Sequence, residues 1–232
     1  MAAIFITGHS HGIGLGLTRH YLDRGDTVYA ASRSACELQS PRLHQYRLDL
    51  SQPQNIAPVL SDMLPAKLDL VILNAGILGE IKDLADTSQD EVDRLMTINV
   101  WSNKVIIDWL IKQGLDVRQL VLMSSGASVN GNRGWGVYSL SKAAINMLAR
   151  LYAHEMPDTH ITAFAPGIVR TRMQDYLCRE VDTDKFPSIA SLANAYGSDY
   201  MPEVERAAPM LANAFERCLQ HESGSFLDIR QL

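Results

Sequence analysis

Eight residues near the start of the chain, Thr7-Gly8-His9-Ser10-His11-Gly12-Ile13-Gly14, restrict its fold more than any other stretch. They follow a short apolar run rich in β-formers, Ala2–Thr7. They lead into a segment whose Ile13, Leu17 and Tyr21 recur at helical spacing. Strand, glycine turn and helix in that order form the corner at which an open α/β sheet binds a dinucleotide. Glycines let the backbone approach a pyrophosphate, and the helix start offers N–H donors and the positive end of its dipole. The general G-x-G-x-x-G fingerprint is not met, because Leu17 follows Gly12 and Gly14 where a third glycine belongs. The spacing is T-G-x-x-x-G-x-G. A purely structural turn is the other reading, and the position after the first strand weighs against it.

The remaining chain alternates apolar runs with helical patterns. Thr27–Ser32, Leu43–Leu50, Leu68–Leu73, Val117–Ser124, Ile161–Ala165 and Ser225–Ile229 read as strands. Ser51-Gln52-Pro53 reads as a helix start with serine as cap, running to about Pro65. Ser88-Gln89-Asp90-Glu91 reads as a capping box opening one long helix to Gln113. A helix over about Trp135–Glu155 is expected to bury Ala144, Leu148, Leu151 and Tyr152, and Pro202–Leu219 forms a last helix with a bend at Pro209. Residues 170–201 lack periodicity and read as a substrate loop, mobile before binding as for a lid. The pattern predicts an α/β fold: a three-layer, doubly wound Rossmann arrangement with a mostly parallel sheet of about seven strands, in one domain over residues 1–232.

Composition narrows the partners. The formal net charge is -5 and no Lys/Arg cluster occurs, so neither nucleic acid nor an anionic membrane is expected. No apolar run approaches the ~18 residues of a membrane span. The first strand begins at once, where a signal peptide would need more room. Cys36, Cys178 and Cys218 are odd in number and far apart, which gives no metal site or disulfide framework and points to the cytoplasm.

Tyr138-Ser139-Leu140-Ser141-Lys142 places a tyrosine and a lysine one helical turn apart on one face. A phenol titrates near pH 10, and a nearby cation favours its ionised form. Such a pair can move a proton near neutral pH. Alternatively it is a helix with a snorkelling lysine.

Together with the glycine turn, Tyr138-x-x-x-Lys142 resembles the short-chain dehydrogenase/reductase family in its compact form. Asn74-Ala75-Gly76 resembles its N-A-G motif, Asn99 its helix-borne asparagine, Pro166-Gly167-Ile168-Val169-Arg170-Thr171 its nicotinamide segment, and Asp49-Leu50 its adenine-side aspartate. Ser125 precedes Tyr138 by thirteen residues, the family's interval for its serine, whereas Ser124 is off by one. The match runs in order from the first strand to Thr171. The tail from Glu222 to Ile229 loosely resembles carbonyl reductases of the sepiapterin and benzil type.

The resemblance implies an NAD(P)-dependent oxidoreductase acting on a small carbonyl or alcohol, with no metal. Tyr138 would be the general acid in reduction and the base in oxidation, and Lys142 would stabilise its phenolate and bond the nicotinamide ribose. Ser125 would steady the substrate oxygen, and Asn99 would hold a water that links Lys142 to solvent. The cofactor would lie on Gly8, Ser10, His11, Gly12, Ile13, Gly14, Ser32, Arg33, Asp49, Leu50, Asn74, Ala75, Gly76, Tyr138, Lys142, Pro166, Gly167, Ile168 and Thr171. A homodimer or homotetramer, paired through the helix from Ser88 and the one bearing Tyr138, is expected by resemblance.

The second strand ends Ala31-Ser32-Arg33-Ser34. An acid there would suit the ribose 2′-OH of NAD, while an arginine suits a 2′-phosphate, with Ser32 and Ser34 as further donors. NADP(H) is therefore preferred, with NAD(H) the alternative, and His11 is either a further phosphate contact or a solvent-facing residue. Trp135 and Tyr176 are candidate substrate walls, with Leu177, Phe186, Ile189 and Tyr196 as apolar cover. The competing functional class is a catalytically idle NADP-binding regulator; intact Asn99, Ser125, Tyr138 and Lys142 favour the enzyme.

Overall fold

The computed structural model describes residues 1–232. In chain order the elements are β1 (Ala3–Thr7), α1 (Gly12–Asp23), β2 (Thr27–Ser32), β3 (Leu43–Arg47), α2 (Ile56–Met63) and β4 (Leu70–Leu73). There follow α3 (Gln89–Met96), α4 (Ser102–Lys112), β5 (Gln119–Met123), α5 (Ala127–Asn130), α6 (Gly136–Glu155) and β6 (His160–Ala165). The chain closes with α7 (Arg172–Arg179), α8 (Pro187–Ala195), α9 (Val204–Cys218) and β7 (Phe226–Asp228). The strands form one seven-stranded sheet in the order β3-β2-β1-β4-β5-β6-β7, and every pairing is parallel.

Helices cover both faces, so the central strands are apolar throughout: every residue of β4 and β5 is buried. Successive side chains of a strand point to opposite faces. On β1, Phe5 enters the core beneath α2, α4 and α6 with Ile56, Leu60, Ile106, Leu110, Ile145 and Tyr152. Its neighbours Ile4 and Ile6 enter the other core, with Leu17 and Tyr21 of α1 and Leu211 and Phe215 of α9. Phe215 meets Phe164 edge-on at 5.0 Å, and its truncation to alanine would cost about 3–5 kcal/mol. A third cluster, Leu78, Ile81, Leu95, Val137, Tyr138, Leu177, Phe186 and Ile189, joins α7 and α8 to α6 and to the loop after β4. From β1 the chain steps outward to β3, then resumes at β4 on the other side. That reversal opens a crevice at the carboxyl ends of β1 and β4.

Several local expectations are corrected. Residues 170–201 are not a featureless loop but carry α7 and α8, short helices whose apolar faces belong to the third cluster. The helix from Ser88 is interrupted by a π-helical turn at Thr97–Trp101. Ser88 accepts from Glu91 N at 3.3 Å, but the Glu91 carboxylate pairs with Lys82 at 2.6 Å instead of closing a capping box. Ser51 caps nothing: its N–H donates to Asp49 (2.9 Å), and a 3₁₀ turn over Pro53–Asn55 precedes α2. β3 stops at Arg47, short of Leu50. Lys67–Leu68 and Asp116–Val117 form a separate two-stranded pair rather than extending β4 and β5. On α6, Leu151 is 51 % exposed and Ala144 and Leu148 are half-buried. The buried stripe is Val137, Tyr138, Ser141, Lys142, Ile145, Ala149 and Tyr152. Pro209 lies within α9, which runs unbroken from Val204 to Cys218.

Candidate active site

The crevice continues into a cavity of about 780 Å³, within the range that holds small ligands and cofactors. Its floor is the glycine turn. Gly8 has φ +73°, which L side chains rarely adopt, and a β-carbon there would stand 2.9 Å from Ala75 Cα. A β-carbon on Gly14 would stand 2.2 Å from the Gly8 carbonyl oxygen. No side chain fits there, so the turn folds tightly over the start of α1. Asn74 braces it by donating to the Thr7 and Gly8 carbonyls at 3.0 and 3.3 Å, and Ala75 N donates to Thr7 Oγ1 at 3.1 Å. This cradle, open to the start of α1, fits a pyrophosphate.

His9 is buried and turned away, with Nε2 2.8 Å from Gln45 Oε1, and burial lowers its pKa. Ser10, His11, Gly12 and Ile13 line the cavity. Along its adenine end stand Ser32, Arg33, Asp49 and Leu50. The Ser32 hydroxyl donates to Ser34 O at 2.6 Å, which spends its proton and leaves the Arg33 guanidinium and the Ser34 hydroxyl to meet a phosphate. Asp49 carries the Ser51 N–H bond, which holds its carboxyl below the ordinary range. The charged lining is otherwise basic, with Arg33, Lys142, Arg172 and Arg230 against Asp49 alone. Such a field suits a polyanion.

At the other end, β5 delivers Ser125 and the first turns of α6 deliver Tyr138 and Lys142 to one wall. Ser124 is buried, and its hydroxyl donates to Asn146 Oδ1 at 2.6 Å. Ser125 instead sits against Tyr138 and accepts from Ala127 N at 3.1 Å. Burial raises the Tyr138 pKa, with the Ser125 hydroxyl working against the rise. Lys142 is itself buried, which pushes it down to about 8; its Nζ donates to Met123 O at 2.7 Å and lies 5.6 Å from the Tyr138 ring centroid. Gly76 abuts this group, since a β-carbon there would stand 3.5 Å from Lys142 Nζ. Pro166, Gly167, Ile168 and Thr171 line the same end.

Asn99 lies in the π-helical turn. Its Oδ1 accepts from Ile77 N, and its Nδ2 donates to Ile77 O and Ser141 Oγ, at 2.8, 2.8 and 3.0 Å. The side chain is thus committed to clamping the loop after β4 onto α6. What remains for a water is its backbone carbonyl, which Asn103 Nδ2 already meets at 2.7 Å.

Trp135 lines the cavity, and its Nε1 donates to Ser188 Oγ on α8 at 2.9 Å. Tyr176 does not line it: its hydroxyl accepts from Ile81 N at 3.4 Å, tying α7 to the loop after β4. Phe186 and Ile189 are buried in the third cluster, and Tyr196 bonds Asp175 and Arg179. Leu177 and Leu192 supply the apolar lining, while Asn130, Asn132, Arg172, Gln174 and Arg230 supply polar lining that the sequence reading did not single out. Arg172 is signalled by its place right after Thr171. Arg230 carries no local signal, because only the return of β7 beside β6 brings it to the cavity.

The profile of a family described as short chain dehydrogenase matches residues 2–182. A benzil reductase ((S)-benzoin forming) of Saccharomyces cerevisiae is 33% identical over 191 residues, 74% of this chain and 73% of that protein. A benzil reductase ((S)-benzoin forming) of Bacillus subtilis is 28% identical over 187 residues, 75% of this chain and 77% of that protein. The crystal structure of the KRED1-Pglu enzyme superposes with a TM-score of 0.86 at 25% identity, covering 98% of this chain and 100% of that one.

Proposed function

We propose an NADPH-dependent carbonyl reductase, from the premise that the chain belongs to the short-chain dehydrogenase/reductase family and is an oxidoreductase of carbonyl and alcohol groups. The observation that carries the proposal is the convergence of Ser125, Tyr138 and Lys142 on one wall of the cavity that the glycine turn floors.

The dinucleotide, when bound, supplies the hydride. The chain's own residues handle the oxygen and its proton. Ser125 donates a hydrogen bond to the substrate carbonyl and steadies the charge that develops there. Tyr138 gives that oxygen its proton. Burial favours its protonated form, the form that reduction needs. Alcohol oxidation needs the phenolate and is expected to rise with pH. Lys142 would hold the nicotinamide ribose, and Arg33 a 2′-phosphate. The two benzil-reducing relatives suggest diketones among the substrates, consistent with the apolar Trp135, Leu177 and Leu192 lining.

A homo-oligomer is part of the same reading. Leu140, Met147 and Leu151 of α6 are each more than half exposed, and Trp101, just before α4, is 47% exposed, which supports pairing through these helices. Three free thiols suit the cytoplasm. The test is incubation with NADPH or NADH and a panel of ketones, diketones and quinones. NADPH oxidation faster than NADH oxidation is expected; tight NADPH binding without oxidation across the panel would leave a cofactor-binding regulator.

A further inference from the structure

Past β7 the chain turns back over Ile229–Gln231 at the mouth of the cavity. Asp228 is buried, with 5% exposure. Its Oδ1 accepts from Arg230 N at 3.0 Å and from Arg230 Nε at 2.8 Å, and its Oδ2 accepts from Arg230 Nη2. The guanidinium is therefore held by its fork on a fixed carboxylate. Its remaining N–H groups, those of Nη1 included, point away from that pair.

Gly126 immediately follows Ser125. Its φ is −56°, an ordinary helical value open to any residue, so what the glycine provides is close approach: a β-carbon there would stand 3.2 Å from Arg230 Nη2, 3.6 Å from Asn130 Nδ2 and 4.0 Å from Asp228 Oδ2. One residue beyond the serine that holds the reacting oxygen, two N–H donors thus close over bare backbone, and both Arg230 and Asn130 line the cavity.

We propose that these donors hold a second acceptor oxygen of the substrate, on the carbon next to the reacting carbonyl, with Arg230 the specificity-determining donor and Asp228 its positioning residue. This rests on the carbonyl reductase reading above. The class selected is the vicinal dicarbonyl. Hydride from NADPH adds to one carbonyl carbon, and the proton from Tyr138 to its oxygen. NADPH leaves as NADP⁺, and the second carbonyl stays unreduced on Arg230, giving a hydroxyketone. A neutral oxygen suits these donors better than a carboxylate. Asp228 already compensates the arginine, and its Oδ2 would repel a second anion.

The test compares kcat/KM with NADPH for benzil, deoxybenzoin (one carbonyl replaced by methylene) and phenylglyoxylate. The wild type is expected to prefer benzil over deoxybenzoin by about tenfold or more, the worth of a charge-assisted hydrogen bond. Arg230→Gln is expected to lower that ratio by about tenfold, chiefly through KM, with Arg230→Lys intermediate. Gly126→Ala keeps the arginine but sets a methyl 3.2 Å from its Nη2, displacing the guanidinium, and is expected to lower the ratio too, which keeps the test open if Arg230→Gln folds poorly. Asp228→Asn is expected to raise relative activity on phenylglyoxylate, which a merely structural role would not do. Equal losses on benzil and deoxybenzoin in both Arg230→Gln and Gly126→Ala overturn the proposal and leave the reductase reading intact. No oxidation of NADPH by the wild type with any of the three overturns both.

Discussion

The two ends of the cavity are built by different means. At the dinucleotide end, backbone and glycine fix the shape: Gly8 and Gly14 have no room for a β-carbon, and Asn74 ties the Thr7 and Gly8 carbonyls from a neighbouring strand. At the substrate end, side chains from distant segments make the walls. Trp135 hangs on Ser188 and Arg230 on Asp228. Arg133, on the loop before α6, pairs bidentately with Asp83, on the loop after β4, at 2.6 and 2.7 Å. The first end tolerates little change of sequence and so serves one ligand class. The second can alter its selectivity by exchanging single side chains, since few backbone constraints pass through it.

Substitutions can break this contrast or sharpen it. The largest effect is expected at the junction of the two ends: Tyr138→Phe should lower kcat by about 10²–10⁴-fold and leave NADPH affinity near wild type, read by steady-state kinetics and fluorescence titration. Retained turnover would remove Tyr138 from its role. At the rigid end, Gly14→Ala drives a methyl into the Gly8 carbonyl. It should cost about 1–3 kcal/mol of stability or more and abolish dinucleotide binding, seen as a lower Tm that NADPH no longer raises. Arg33→Ala should weaken NADPH by about tenfold to a hundredfold, as expected for charge-assisted bonds, and NADH little. Equal losses for both would count against the 2′-phosphate assignment. At the adaptable end, Trp135→Phe removes the bond to Ser188, worth about 1 kcal/mol. It should raise KM for bulky ketones several-fold with Tm nearly constant; a large drop in Tm would make that end as rigid as the other.

A further effect concerns pH. Folding lowers Lys142 to about 8, so between that value and its unfolded value near 10.4 the unfolded chain binds more protons. Its cost to stability is full below about pH 8 and is relieved as pH rises through that window. Denaturant titrations of cofactor-free wild type and Lys142→Met should therefore diverge in favour of the wild type between those limits, and parallel curves would deny the shift.

Legibility in the sequence followed the same division. The glycine turn, the strand cores and the Ser125, Tyr138 and Lys142 spacing were readable because each depends on residues close in the chain. The π-helical turn was not, because Thr97–Trp101 has ordinary helical composition, and its distortion accompanies the Asn99 clamp on Ile77, a contact between residues 22 apart. α7 and α8 were missed because single faces of short helices give too few apolar repeats to establish a period. Leu151 was misplaced because its stripe, with Leu140 and Met147, faces outward while small and polar residues such as Ser141 and Ala149 face the core. Tyr176 was expected at the cavity and Arg230 was not singled out, for a reason no local pattern holds: the fold carries the tail, not α7's tyrosine, to the cavity.

One measurement bears most directly on the reductase itself: progress curves of NADPH and NADH oxidation with benzil, with product analysis. Stoichiometric NADPH loss with formation of a hydroxyketone, much faster than with NADH and absent in Tyr138→Phe, is the expected result. Saturable NADPH binding with no oxidation of either dinucleotide, or oxidation that survives in Tyr138→Phe, would contradict it.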